Sequence, residues 1–253
     1  MQDIYIGDEG KGFPIVLVHG FLGSSKMWEP QIDFFKENFR VITPDLPGFG
    51  ESYKVKSLNS ISEMAKEIFS CVEKKNIKKF HLVGHSMGGM IVQEMANISG
   101  ERIRKLVCFA TSSIGDIPGR FETIEDSIQR LKKEGIKETI KRITPKWFVQ
   151  GRKSKYFYLC ENAAKKITEE TAFNALTAMK NWSGYKNLKN IKNQTLIVWG
   201  DKDKSYNFEQ ADTLKKNILN CKIEIFKGCC HNAHLEEPKK FNETISHFLN
   251  NDK

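Results

Sequence analysis

The sequence lacks long apolar runs, paired-cysteine motifs and metal-binding spacings. Its six cysteines are scattered, several of them within apolar patterns where a free cysteine behaves as a small hydrophobe. No Cys-x-x-Cys motif or Cys/His spacing indicates a zinc site. No run approaches the length of a membrane span, and the first residues lack the basic and apolar regions of a signal peptide. These absences predict a cytoplasmic protein with no membrane segment, metal or disulfide framework.

Arginine is also scarce. It supplies only seven of the 40 basic residues, although the net charge is +9. The lysines are scattered among acids, as in Lys132-Lys133-Glu134, and no basic block alternates with aromatic residues. No nucleic-acid-binding motif is present. We therefore expect no nucleic-acid partner, and a lysine-rich surface that weakly attracts anions.

What the chain contains is an alternation of strand and helix patterns. Its 253 residues suit one α/β domain with an insertion. Apolar strand-like runs alternate with amphipathic helices as far as residue 113 and again from residue 186, which predicts a mostly parallel, doubly wound sheet. Residues 114–185 have no strand pattern and carry several helices and aromatic side chains. We predict a core domain of residues 1–113 and 186–253, and a helical cap of residues 114–185.

One stretch carries the clearest chemical signal. The apolar run that begins at Phe80 ends in Gly84-His85-Ser86-Met87-Gly88, and a helical pattern follows at once. The two glycines suit a turn so tight that a Cβ atom at either position would collide with the neighbouring backbone. A serine here could merely cap the helix, but the strand before it and the helix after it favour a nucleophile elbow.

A serine nucleophile needs a base and a carboxylate that orients the base. Of the six histidines, His231 follows a strand and a glycine, in a loop that can reach the carboxyl edge of the sheet. Asp201 and Asp203 both follow a strand end. We favour Asp203, at the far side of the turn, with Asp201 as the alternative. The order Ser86, Asp203, His231 is typical of the elbow motif.

Two backbone amides are candidates for stabilising an oxyanion. The loop His19-Gly20-Phe21 follows a buried strand, at the sheet edge where ligands bind in open α/β folds. The Phe21 amide is one candidate, and the Met87 amide, at the start of the helix after Ser86, is the other. For His19 and Asp45, which also follow strands, we favour structural roles in shaping their loops.

Together these residues resemble the α/β-hydrolase superfamily, close to its esterase, enol-lactonase and carbon–carbon hydrolase branch, over nearly the whole chain. The resemblance is carried by His19-Gly20-Phe21, Asp45-Leu46-Pro47-Gly48-Phe49-Gly50-Glu51-Ser52, Gly84-His85-Ser86-Met87-Gly88-Gly89, Gly200-Asp201-Lys202-Asp203 and His231. It implies the α/β-hydrolase fold with a helical cap inserted after the sixth strand. It also implies a catalytic triad of Ser86, Asp203 and His231, and an oxyanion hole formed by Phe21 and Met87.

The function implied is that of a serine hydrolase that cleaves carboxylic esters of short to medium acyl chain through an acyl-enzyme. A small-molecule ester would be its substrate, no cofactor would be needed, and the protein would be a monomer or homodimer. The serine at the elbow argues against haloalkane dehalogenases and epoxide hydrolases, which place an aspartate there. A lactonase, a carbon–carbon bond hydrolase, a perhydrolase and a ligand-sensing receptor on the same fold remain alternatives.

Overall fold

The computed structural model describes residues 3–251, so the predicted ends of the core at residues 1–2 and 252–253 lie outside it. The strands are β1 (Ile6–Glu9), β2 (Phe13–Val18), β3 (Phe39–Pro44), β4 (Phe80–His85), β5 (Ile103–Phe109), β6 (Gln194–Gly200) and β7 (Cys221–Phe226). The α-helices are α1 (Glu29–Phe35), α2 (Ile61–Lys74), α3 (Met87–Ser99), α4 (Ile124–Ile143), α5 (Phe157–Ala164), α6 (Glu169–Asn181), α7 (Phe208–Asn217), α8 (Ala233–Glu236) and α9 (Pro238–Asn250).

The strands form one sheet in the order β1-β3-β2-β4-β5-β6-β7. Every neighbouring pair is parallel except β1 and β3. All six residues of β4 are buried, as expected for a central strand covered on both faces. One apolar cluster joins the sheet to α2, α3 and α7, and a second joins its other face to α1 and α9. The predicted doubly wound α/β-hydrolase fold is confirmed.

The segment between β5 and β6 contains helices and short turns, as predicted. Its two ends lie side by side, since the Gly115 amide donates to the Trp182 carbonyl at 3.0 Å and the Gly184 amide to the Ser113 carbonyl at 2.8 Å. Helix α4 is interrupted at Gly135, which has a φ of +77°. The segment thus leaves the core and returns to it at one neck, while the limits of the cap at residues 114–185 stay a prediction.

One detail of the predicted topology is corrected. The insertion follows β5, the fifth strand of the described chain, and not a sixth. The chain enters the sheet at β1 with no strand before it among the described residues, and a turn at Gly10, with a φ of +76°, leads from β1 to β2. Only five strands of the described chain therefore precede the insertion.

We predict that Gly88→Ala lowers the free energy of unfolding by about 1–3 kcal/mol through overpacking. The added Cβ atom would lie 2.3 Å from the Val18 carbonyl oxygen, which belongs to the central sheet and cannot move away cheaply. Gly100→Ala is the matched control, because its nearest neighbour is the Asn193 side-chain oxygen at 3.2 Å. Urea unfolding of both variants measures the effect, and equal losses would contradict it.

Candidate active site

Ser86 lies between β4 and α3 in a strained backbone conformation. Its φ is 57° and its ψ is −119°, a region that non-glycine residues enter only where surrounding contacts impose it. Those contacts are the Ser86 amide donating to the Phe109 carbonyl at 2.9 Å and the Thr111 hydroxyl donating to the Ser86 carbonyl at 2.8 Å. A Cβ atom on Gly84 would lie 2.3 Å from the Gly88 carbonyl oxygen. The predicted need for glycine on both sides of the serine is confirmed.

The loop after β2 packs directly against the serine. A Cβ atom on Gly20 would lie 2.8 Å from the Ser86 Cβ. His19 shapes this loop: its Nε2 accepts a hydrogen bond from the Leu46 amide at 3.0 Å, and its Nδ1 lies 2.9 Å from the Gly20 carbonyl oxygen. Burial lowers the pKa of His19, which keeps the imidazole neutral. Phe21, which follows Gly20, lines the same cavity as Ser86.

Asp45 and Asp201 are both engaged outside the cavity. The Asp45 carboxylate accepts from the Ser25 amide at 2.6 Å and from the Glu51 amide at 2.7 Å. Asp201 accepts from the Gly228 amide at 2.7 Å. Each carboxylate therefore holds a loop, which agrees with the structural role expected for Asp45 and leaves Asp203 as the acid nearest a histidine.

Asp203 and His231 form a buried hydrogen-bonded pair. The His231 Nδ1 lies 2.9 Å from the Asp203 Oδ2, and the exposed fractions of the two side chains are 2% and 0%. The other carboxylate oxygen accepts from the Ser205 amide at 2.7 Å and from the Tyr206 amide at 3.3 Å. The turn after β6 thus fixes the acid, and the acid fixes the orientation of the imidazole.

Aromatic rings enclose His231. The Tyr206 ring stacks on it with a centroid distance of 5.6 Å and an angle of 22°, and the Trp147 ring lies 5.7 Å away. The His85 ring is 4.7 Å away, and its Nε2 lies 3.2 Å from the His231 carbonyl oxygen. Sequence reasoning gave neither Tyr206 nor any single cap aromatic a role, since nothing in their spacing marks them.

Two further histidines behind the elbow are neutral. Burial, with smaller contributions from His231 and His234, holds the pKa of His85 well below its usual value. Burial also lowers the pKa of His234 to about 3, and His231 contributes to the shift. The rings of His85 and His234 are 5.0 Å apart. The interior behind Ser86 therefore contains uncharged imidazoles at neutral pH.

The space over Ser86 is almost closed. It is lined by Phe21, Ser86, Arg120, Phe121, Ser127, Ile143, Trp147, Leu176, Met179, Ser205 and His231. Its volume of about 20 Å³ has room for about one water molecule. Larger surface clefts include neither Ser86 nor His231. An ester is larger than this space, so part of the lining must move before a substrate can reach the serine, which is 7% exposed.

Within residues 3–251, no three His, Cys, Asp or Glu side chains are grouped so that they could hold a metal ion. No helix in this part of the chain combines the length and the apolar character needed to cross a membrane.

Comparison with known proteins places this geometry in a family. The model of the α/β hydrolase fold family matches residues 14–134. The enol-lactonase from Burkholderia xenovorans LB400 superposes with a TM-score of 0.90 at 20% identity, over 98% of this chain and 96% of that one. The family model and this superposition show that the chain has the α/β-hydrolase fold. The predicted resemblance is thus confirmed.

Two relatives of this α/β-hydrolase carry names that specify a reaction. The Homo sapiens monoacylglycerol lipase ABHD6 is 27% identical over 265 residues, covering 96% of this chain and 77% of its own length. The pimeloyl-(acyl-carrier protein) methyl ester esterase of Legionella pneumophila (strain Corby) is 26% identical over 259 residues, covering 98% of this chain and all of its own. Both relatives are named for the hydrolysis of esters.

The buried histidines of this α/β-hydrolase predict acid sensitivity. An unfolded imidazole titrates near 6.5 and that of folded His234 near 3, so the unfolded state binds the extra proton. The stability from neutral His234 is therefore present above pH 6.5 and is lost as the pH falls towards 3. We predict that His234→Phe, which keeps a ring beside Trp28 and Phe241, flattens this loss by about 1.4 kcal/mol per pH unit.

Urea unfolding between pH 7.5 and 5 measures that slope. His247→Phe, at an exposed position of α9, is the control for the loss of a histidine outside the interior. An identical slope for the His234 variant and the wild type would show that His234 does not release a proton on folding.

Proposed function

We propose that this α/β-hydrolase is a serine esterase that cleaves carboxylic esters of short to medium acyl chain through an acyl-enzyme. The observation that carries the proposal is the 2.9 Å hydrogen bond between Asp203 and His231, in a cavity that His231 shares with Ser86. A nucleophile, a base and an orienting acid are the groups that acyl transfer requires.

In this mechanism the Asp203 carboxylate accepts the hydrogen bond from His231 Nδ1–H, so the lone pair is on Nε2, at the other side of the ring. Nε2 removes the Ser86 hydroxyl proton as the oxygen attacks the ester carbonyl carbon. The same proton then passes to the departing alcohol. Water, deprotonated by His231 in turn, attacks the acyl-enzyme and releases the carboxylic acid and the free serine.

The oxyanion of each tetrahedral intermediate is assigned in this proposal to the amides of Phe21 and Met87. Met87 is the first residue of α3, and the first amides of a helix have no acceptor within it. The loop at Gly20, directly before Phe21, packs against Ser86. Each such donor contributes about 3 kcal/mol to the transition state.

The surroundings support the rest of the proposal. The named reactions of the lipase and esterase relatives favour a small-molecule ester substrate, and the mechanism uses no metal or organic cofactor. All six cysteines are free and buried, which favours a reducing compartment, and we propose a cytoplasmic location. We further propose that residues 114–185 act as the cap over the serine, in a protein that functions as a monomer or homodimer.

The first test is hydrolysis of p-nitrophenyl esters from acetate to long acyl chains by the wild type and by Ser86→Ala. We expect sustained turnover on the shorter chains and a loss of at least about 10³-fold in kcat for the variant. A single burst without turnover would instead indicate a ligand-sensing protein. Turnover only of lactones, cleavage only of carbon–carbon bonds, or formation of peracids by transfer of the ester's acyl group to hydrogen peroxide would identify the corresponding alternative.

The two aspartates after β6 provide a matched pair. We predict that Asp203→Asn lowers kcat by about 10⁴-fold, because the amide favours the wrong imidazole tautomer. Asp201→Asn, two residues away, keeps kcat within about threefold, because its carboxylate contacts the Gly228 amide and the neighbouring Lys202, and neither lines the cavity. Steady-state kinetics on p-nitrophenyl butyrate, with circular dichroism as a check of folding, compares them. Equal losses in the two variants would contradict the assignment of the acid.

A further inference from the structure

A cation lies unpaired inside the cavity of the proposed esterase. Arg120, on the loop between β5 and α4, lines the cavity together with Ser86 and His231. Its Nε and Nη1 atoms are buried, and neither has a hydrogen-bond partner among residues 3–251. The residue as a whole is partly exposed, but burying N–H groups of a charged side chain without partners is costly, so these two atoms call for an explanation.

Four other arginines of this chain form ion pairs with carboxylates. Carboxylate partners within hydrogen-bond distance are found for Arg40, Arg102, Arg130 and Arg142. The acid nearest to Arg120 in sequence, Glu122, is already engaged by Arg130 and Arg142. No carboxylate of the described residues forms an ion pair with Arg120. The cavity therefore holds a positive charge that no described acidic side chain neutralises.

Tyr206 connects this charge to the proposed nucleophile. The guanidinium carbon lies 5.5 Å from the centroid of the Tyr206 ring, and that ring stacks on His231. Burial raises the pKa of the Tyr206 phenol, and interactions with Arg120 and Ser86 oppose the rise. Because Arg120 and Ser86 line the same small cavity, a group bound to the guanidinium would lie close to the ester carbonyl attacked by Ser86.

We propose that Arg120 binds a carboxylate carried by the substrate, so that this protein prefers esters with a negative charge close to the scissile bond. The proposal rests on the esterase function proposed above. A planar guanidinium binds a carboxylate with two parallel hydrogen bonds. The lining also includes the apolar side chains of Ile143, Trp147, Leu176 and Met179, which suit the short apolar linker of such a molecule. The net charge of +9 would steer anions towards the protein.

The experiment compares pairs of substrates of equal length that differ in one charge. In the first pair, monoethyl succinate carries a carboxylate on the acyl side and ethyl butyrate is its uncharged counterpart. In the second pair, acetoxyacetate carries the carboxylate on the alcohol side and ethyl acetate is its uncharged counterpart. We measure kcat/KM for the wild type, Arg120→Gln and Arg152→Gln. Arg152 is the matched control, because it is an exposed cap arginine whose Nη2 donates to the Lys141 carbonyl.

The wild type is expected to prefer the charged member of at least one pair, and Arg120→Gln to reduce that preference by at least about 10-fold. Arg120→Lys, which keeps the charge but not the paired hydrogen bonds, should recover part of it. Arg152→Gln should leave the ratio unchanged. An equal fall in kcat/KM for both members of each pair would indicate a structural role for Arg120 and would overturn the proposal.

A binding measurement separates this proposal from the esterase function. Calorimetric titration of the wild type and Arg120→Gln with succinate and with butyrate needs no turnover. Binding of succinate but not butyrate, lost in Arg120→Gln, supports the anion site even if no ester is hydrolysed. A second outcome is that ethyl butyrate is hydrolysed in a reaction that depends on Ser86, while Arg120→Gln changes neither the kcat/KM ratio of a substrate pair nor the binding of succinate. That outcome supports the esterase function and refutes the anion site.

Discussion

The close approach of three backbone segments around Ser86 is the constraint on which the rest of the site depends. The glycines at positions 20, 84 and 88 allow the loop after β2, the end of β4 and the start of α3 to approach to distances that a Cβ atom would forbid. That packing holds Ser86 at a positive φ, at a cost of about 1–3 kcal/mol. The strain is maintained because the surrounding sheet is already buried on both faces.

From this point the site extends outward through contacts that are local to each loop. The elbow residue His85 lies within hydrogen-bond distance of the His231 carbonyl oxygen, so the histidine loop is positioned relative to the serine by a neighbour of the serine itself. Asp203 is fixed by amides of its own turn, those of Ser205 and Tyr206. The sheet brings these loops together because β4, β6 and β7 are parallel and end at one edge.

The core of this arrangement could be predicted from the sequence because its signals are local. Rules about single segments are enough to interpret an apolar run, two glycines around a serine, or an acid after a strand. The residues identified in this way do lie at one edge of the sheet. Arg120 and Tyr206 could not be found in that way. Their significance comes from contacts across the insertion and from the absence of an acidic partner for Arg120 among the described residues, neither of which a linear pattern expresses. The strand count before the insertion differed by one because no strand among the described residues precedes β1, so the insertion follows the fifth strand.

The closed cavity and the unpaired arginine bear on each other. The space over Ser86 has room for about one water molecule, and the buried Nε and Nη1 atoms of Arg120 have no hydrogen-bond partner there. An ester is larger than this space, so it can bind only in a state in which the lining has moved apart. Because Arg120 itself lies in the insertion between β5 and β6, a substrate carboxylate bound to it would join the ester to that insertion. A ligand shifts a conformational equilibrium by its difference in affinity for the two states, so a charged ester would favour the widened state more strongly than an uncharged ester of the same length.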